Sequence, residues 1–371
     1  MCINNFRGNM KIGILGTRGI PNNHGGFEQF AEYLSKGLVE QGHDVVVYNG
    51  SDHPFKDHTL SGVKIIRKWN PENLFGTFAQ FLYDLLCILD SRKRGFDIIL
   101  QLGYTSSSVF FNLHPKSSEV VTNMDGLEWK RSKYHPLIRK FLKFSERRAI
   151  RKSDFLVSDS IGIKDYLKKN YSIESEYIAY GSEVAGQFDD NIFNELKLQK
   201  VSYDLLIARM EPENNIEMVI QGHLNCPTSN NLIVVGGLKT PYAKYLLSKY
   251  TNGKIIFVGG IYNREKLDAL RYESALYFHG HSCGGTNPSL LEAMGSNTLI
   301  CAHDNIFNKS ILNENAFYFK SVQDVENICR TVNKADHLNK IIFNSENIKH
   351  NFSITKIVSQ YEVLFNKVIN S

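Results

Sequence analysis

HGHSCGGTNPSLLEAM, from His279 to Met294, is the stretch whose reading decides the fold. An apolar run, Ala275–Phe278 (ALYF), leads into it and reads as a short buried strand. A polar loop with a Gly-Gly pair follows, then Pro288, Ser289 and the helix formers LLEAM. In this order of strand, flexible loop and helix N-terminus, a phosphate can reach unpaired N–H groups at the positive end of a helix. Glu292, one turn inside that helix, is an acceptor suited to sugar hydroxyls. The same order also serves as a plain connection in any α/β domain, so the surrounding chain has to decide.

Working outward, the second half repeats one pattern. SYDLLIARMEPENN reads as a strand ending at Arg209, then a Pro-containing turn and a helix over 216–223. NNLIVVGG, GKIIFVGG and NTLICAHDN read as strands, and NREKLDALRYES as a helix. The first half does the same. KIGILG (11–16) is a strand, followed by the glycine-rich turn TRGIPNNHGGFEQ and an amphipathic helix ending at Gly42. HDVVVYNG, GVKIIRK, FDIILQLG, SEVVTNMDG, SDFLVSDS and SEYIAYGS supply further strands, with a helix around Phe78–Asp90. The first turn is not G-x-G-x-x-G, which disfavours a dinucleotide cofactor. Gly25-Gly26 would let backbone approach a phosphate or a sugar, or simply allow a tight turn. Asp125 falls at a strand end, where parallel sheets bind ligands. Its alternatives are an Asx turn or a cap.

Two successive α/β halves predict two Rossmann-like domains with a cleft between them. The expected boundaries are 10–183 and 201–350, with a polar linker over 184–200 and a closing amphipathic helix over 351–371 capped by Ser353. A chain of 371 residues is long for one core, and 42% hydrophobic with 22% charged residues is a soluble globular composition. The longest apolar segment, Phe78–Leu89, is too short to span a bilayer and contains Asp84. The opening MCINNFRGN lacks the apolar core of a signal peptide and reads as an extension before Met10. The six Cys show no C-x-x-C pair and no His/Cys metal spacing, and read as reduced cytosolic thiols. Cys283 lies in the key loop, but a nucleophilic role would need a neighbouring base.

Several strings in this order, GTRGIPNNHGGFEQFAEYL, NMDGLEWKR, LIARMEPENNIE, HGHSCGGTNPSLLEAM and FSITKIVSQYE, resemble GT-B glycosyltransferases of family 4 over 10–371. That group is retaining and nucleotide-sugar-dependent. GTRGIP…GGFE, NMDGLEWKR and GGTNPSLLEAM further resemble a subgroup containing rhamnosyltransferases of bacterial capsule, rhamnan and O-antigen assembly. The resemblance implies an N-terminal acceptor domain, a C-terminal donor domain, and a last helix crossing back to the N-terminal domain. In the family's Glu-x7-Glu motif the second Glu, which holds the ribose, matches Glu292. The first falls on Gly284, so donor-sugar contacts pass to His281, Thr286 and Asn287, with Gly285 beside them. The diphosphate-binding Arg matches Arg209, and its usual Lys partner falls on Asn214. The amides of Ser289 and Leu290 and the Gly25-Gly26 backbone would then carry more of the phosphate. The active-site His corresponds to Asp125, and Glu128 and Trp129 are softer candidates for the acceptor. No Asp-x-Asp motif of the metal-dependent GT-A type is present, so neither an essential metal nor another cofactor is expected.

The expected partners are dTDP-rhamnose and a lipid-linked diphosphate sugar. Transfer from UDP- or GDP-sugars, a GT-B-shaped epimerase or hydrolase, and an inactive binding subunit stay open. Residues 128–152 hold ten Lys/Arg against two Glu, interleaved with Leu137, Ile138, Phe141, Leu142 and Phe144. Such a helix suits an anionic membrane surface, here the cytoplasmic face of the inner membrane. It also reads as a solvated helix with one core-facing stripe. No nucleic-acid motif accompanies the charge.

Overall fold

The computed structural model describes residues 8–371 except 24, 125, 131–133, 187, 189–190, 196–201, 228–229, 251–252 and 283. Asp125, Cys283, most of the opening extension and much of the expected linker thus lie outside the described residues. The chain forms two compact units. One comprises the residues through Tyr180 together with Ile354–Ser371, and the other is Gly181–Ser353.

The first unit is built on an eight-stranded sheet. Its strands are β1 (Lys11–Leu15), β2 (Asp44–Gly50), β3 (Thr59–Leu60), β4 (Val63–Lys68), β5 (Ile98–Leu102), β6 (Glu119–Asn123), β7 (Phe155–Ser158) and β8 (Glu176–Tyr177). They lie in the order β3-β4-β2-β1-β5-β6-β7-β8. Only β3 runs antiparallel, as a short hairpin on β4. The central strands are mostly apolar, and every residue of β5, Gln101 included, is buried, as a sheet covered on both faces requires. The helix Ile354–Ile369 packs on the helix Gly26–Glu40 in this unit, with Tyr361 and Phe30 rings 5.4 Å apart.

The second unit holds β9 (Tyr203–Ile207), β10 (Asn231–Val235), β11 (Ile255–Gly259), β12 (Tyr277–His279), β13 (Ile300–His303) and β14 (Phe317–Phe319). All are parallel, in the order β11-β10-β9-β12-β13-β14. Setting β3 aside, both sheets therefore follow the doubly wound order third, second, first, fourth, fifth, sixth, and the first sheet adds β8 as a seventh. The sequence reading did not assign β3 or β14, and two strands it did assign differ in extent. The ladder to β13 starts at Tyr277 and runs to His279, so this strand lies two residues later than its apolar run and ends on a polar residue. SEYIAYGS contributes only the two residues of β8, with one further hydrogen bond to β7 from the Ile178 N–H to the Ser158 carbonyl at 3.1 Å.

Candidate active site

In the second unit the strand order reverses between β9 and β12, and at such a point the outgoing loops part and leave a crevice at the strand ends. Arg209 lies two residues past β9, and the loop 280–287 follows β12. The two loops are tied together. Asn215 donates to the Gly280 carbonyl at 2.8 Å, and Ser282 donates its N–H and Oγ–H to the Glu213 carbonyl at 3.2 and 2.7 Å. Asn305 and Asn308 donate to the His281 carbonyl from the far side, at 3.0 and 3.2 Å. Residue 280 must be glycine for this to happen, since a Cβ there would fall 2.0 Å from the Asn214 carbonyl oxygen.

Arg209 itself is exposed, and its guanidinium pairs with no described residue. Asn214 is buried and spends its amide N–H on the Arg209 carbonyl at 2.7 Å, so it shapes the turn that presents Arg209. Gly284 has φ +123°, a conformation L side chains rarely adopt. A glutamate at 284 would be strained, which accounts physically for the missing first acid. Thr286 is buried and Gly285 and His281 half-buried in the same loop. The His281 ring stacks on that of His279 at 4.4 Å. His279 is fully buried, and burial, with the neighbouring His281, Arg271 and His303, pushes its pKa well down and keeps the ring neutral.

The helix Pro288–Gly295 opens on Asn287, whose Oδ1 accepts the Ser289 N–H at 2.9 Å and whose carbonyl accepts from Leu290 at 3.0 Å. The two amides expected to meet phosphate are thus engaged by Asn287. A cap of this kind is worth about 1 kcal/mol. A charged hydrogen bond contributes about 1.5–3 kcal/mol, so a diphosphate would displace the cap. Glu292 is buried and held by two arginines, Arg271 at 2.5 Å and Arg264 at 3.2 Å. Burial opposes the charge of Arg271, but the carboxylates of Glu292 and Asp268 outweigh it and bind its proton more tightly than usual. Arg271 also donates to Ser289 Oγ at 3.2 Å, which Tyr277 meets at 3.0 Å. The sequence reading missed Arg264, Asp268 and Arg271. Their spacing of four and three along one helix, which puts them on one face, was the available signal.

The glycine turn after β1 is different. Glu28, buried in the first turn of its helix, accepts the Arg18 N–H at 2.9 Å and the Thr17 hydroxyl at 3.4 Å. Gly25 is extended, and a Cβ there would meet only Glu28 Oε2, at 3.6 Å. The Gly25 N–H is spent on Asn22 Oδ1 at 3.2 Å and its carbonyl on the Gln29 N–H, and the carboxylate beside them favours hydroxyls over phosphate. Trp129 is tied down: its indole N–H donates to Glu146 at 2.8 Å and its ring lies under Lys143. That placement leaves little of its ring for stacking on an acceptor.

One mixed-donor group is visible that no spacing could have revealed: ligand atoms of Asp204, His223 and Cys329 lie within 4.8 Å of one another. His223 and Asp204 are already hydrogen-bonded at 3.1 Å, and Asp204 sits near the amino end of β9, away from the loops above.

A domain of unknown function, DUF1972, matches residues 98–183. An uncharacterised glycosyltransferase of Methanocaldococcus jannaschii is 24% identical over 392 aligned positions, covering 93% of this chain and 96% of that protein. Sucrose-phosphate synthase from Thermosynechococcus elongatus superposes with TM-score 0.78 at 15% identity, over 98% of this chain and 100% of that one. Anabaena HepE, solved in complex with UDP-glucose, gives 0.75 at 14% identity, over 96% and 99%. At such identities the structural likeness is one of fold, and the fold is GT-B.

Proposed function

We propose that this glycosyltransferase of GT-B fold moves rhamnose from dTDP-rhamnose to a lipid-linked sugar acceptor in bacterial surface polysaccharide synthesis. The observation that carries the donor half is an exposed Arg209, without a partner among the described residues, at the β9–β12 reversal beside the loop that leads to Glu292. Arg209 and the amides at Ser289 and Leu290 take the charge of the departing diphosphate, while Glu292, paired with its two arginines, accepts ribose hydroxyls. The acceptor hydroxyl attacks the face the diphosphate leaves, with retention and without a covalent enzyme nucleophile. Asp125 is assigned to a donor-sugar hydroxyl or to the acceptor proton. The reaction is proposed to need no divalent ion.

A second reading, transfer from a UDP- or GDP-sugar, is favoured by the likeness to a protein solved with UDP-glucose. A donor panel with purified protein and a synthetic lipid-diphosphate sugar, analysed by mass with and without EDTA, tests both. A rhamnose increment from dTDP-rhamnose that survives EDTA is expected. Turnover of donor without acceptor would instead mark an epimerase or hydrolase, and none with any donor an inactive binding subunit.

No helix among the described residues is long and apolar enough to cross a membrane. We place the protein peripherally on the cytoplasmic face of the inner membrane, docked through residues 129–152.

A further inference from the structure

The helix Pro136–Lys152 buries Leu142, Ser145, Glu146, Ala149 and Ile150. Opposite them, at alternating spacings of three and four, run Leu137, Lys140, Phe144, Arg147 and Arg151, all exposed. One stripe therefore carries both large apolar groups and positive charge. The remaining cations of this helix are not equally available. Lys143 donates to the buried Glu146 at 2.7 Å and also bonds Tyr166, while Arg148 donates to the carbonyls of Ser108 and Val109. Lys140, Arg147 and Arg151 pair with no described residue. Arg147 and Arg151 flank a cavity of about 240 Å³ floored by Ile150, Tyr171 and Ile173.

A second segment joins this stripe. Trp69, Leu74, Phe75 and Phe78 are 53, 74, 61 and 76% exposed. A chain of ring contacts runs from Phe78 to Phe81 (5.3 Å), Phe81 to Phe141 (5.8 Å) and Phe141 to Phe144 (6.4 Å). Scattered apolar side chains on a surface need no explanation, but a continuous aromatic ridge beside a basic stripe does. Its side chains project, and the exposed charges of the adjoining helix are all positive, while Glu72 beside the ridge is neutralised by Arg18 at 3.0 Å. What covers it must be deformable, apolar within and anionic at its surface.

We propose that this face is a membrane anchor of interfacial type, in which Leu74, Phe75, Phe78 and Phe144 enter the acyl boundary of an anionic bilayer. Lys140, Arg147 and Arg151 meet the headgroup phosphates, with the Arg147–Arg151 cavity taking one of them. The inference rests on the docking proposed above and deepens it, because charge alone would be released by salt whereas inserted rings are not.

The test is co-sedimentation of the full chain with vesicles of phosphatidylcholine, alone or mixed with phosphatidylglycerol, across a salt series. Wild type should sediment with the mixed vesicles at low salt. A fraction should remain bound at 1 M salt, where the Debye length is about 3 Å. Phe75→Ser with Phe78→Ser should remove that salt-resistant fraction. Lys140→Gln with Arg147→Gln and Arg151→Gln should lower low-salt partitioning about a hundred-fold. These positions are exposed, so unchanged thermal unfolding of both variants is the folding control. Equal binding of the Phe75/Phe78 variant at every salt concentration would overturn insertion and leave only electrostatic docking. Wild type that ignores both vesicles at low salt would overturn the bilayer and point to an acidic protein on the same face. Because the assay reads no chemistry, a chain that binds vesicles yet transfers no sugar would break the functional reading and leave the anchor standing.

Discussion

Two glycine-rich turns flank the strand reversals of their sheets, one after the first strand, β1, and the other after the fourth, β12, and their electrostatics are opposite. After β1, the turn fills its own amides with acids: Glu28 takes the Arg18 N–H and Glu32 the Asn22 N–H, at 2.9 and 2.8 Å. After β12, neutral asparagines close the loop, and a cation, Arg209, stands beside it without a partner among the described residues. The sign of the ligand is decided by the side chains in and just beyond the helix start. The units also differ in their buried charge. The second pairs Arg264 and Arg271 with Asp268 and Glu292, whereas the first pairs Glu146 with Lys143 but keeps His114 and Asp84 away from opposite charge.

The largest effect should come from the paired network. Arg271→Met leaves Asp268 and Glu292 sharing Arg264 alone, and breaking a buried pair costs about 3–5 kcal/mol. Glu292→Ala should be similarly damaging, so its role toward a nucleotide is better probed with Glu292→Gln, which keeps an acceptor. Urea unfolding of Arg271→Met with a midpoint like that of wild type would show that the network adds no stability.

The unpaired groups of the first unit predict a response to acid. Burial lowers the His114 pKa to about 4, so its neutral ring contributes stability above its ordinary value of 6.5, and this is lost as pH falls through 4. Burial raises Asp84 to about 6 against hydrogen bonds from Ser106 and Gln80. Its contribution has the opposite sense, full below 3.8 and lost as pH rises through 6. The two offset each other in wild type. His114→Leu should therefore gain about 2–3 kcal/mol relative to wild type on going from pH 7 to 4.5, by urea unfolding at both values. Parallel pH dependence of the two proteins would mean that His114 reaches solvent.

A smaller effect is expected at Gly284, where a Cβ would meet no atom within 4 Å but φ is +123°. Gly284→Ala should cost about 1 kcal/mol through backbone strain alone. An unchanged melting temperature would mean the loop relaxes easily, and would reopen position 284 to a sugar-binding acid.

The alternation of apolar runs with amphipathic helices made the two α/β halves legible, because strands buried on both faces must be apolar. The edge strand β14 and the polar helices after it were not read, since Val322–Thr331 buries only Val325 and Ile328. Arg209 and Glu292 were named by resemblance; the first lies just past β9 and the second on the helix that follows the β12 loop. The Arg264–Asp268–Arg271 lock was not, because surface helices carry the same charge spacing. Among the basic residues, only coordinates separate Lys143 and Arg148, which are consumed internally, from Lys140, Arg147 and Arg151. Phe78 was read as the start of a helix over 78–90, and its exposure follows from a helix that begins only at Ala79.

The contrast between the turns is tested most directly by calorimetric titration of dTDP, with UDP in parallel, into wild type, Arg209→Ala and Glu28→Gln. Loss of one charged hydrogen bond of about 1.5–3 kcal/mol should weaken binding to Arg209→Ala roughly ten- to a hundred-fold. Because Arg209 is exposed, its melting temperature should not change, and Glu28→Gln should bind as wild type does. Undiminished affinity in Arg209→Ala, or tighter binding in Glu28→Gln, would contradict the assignment of the diphosphate to the second unit.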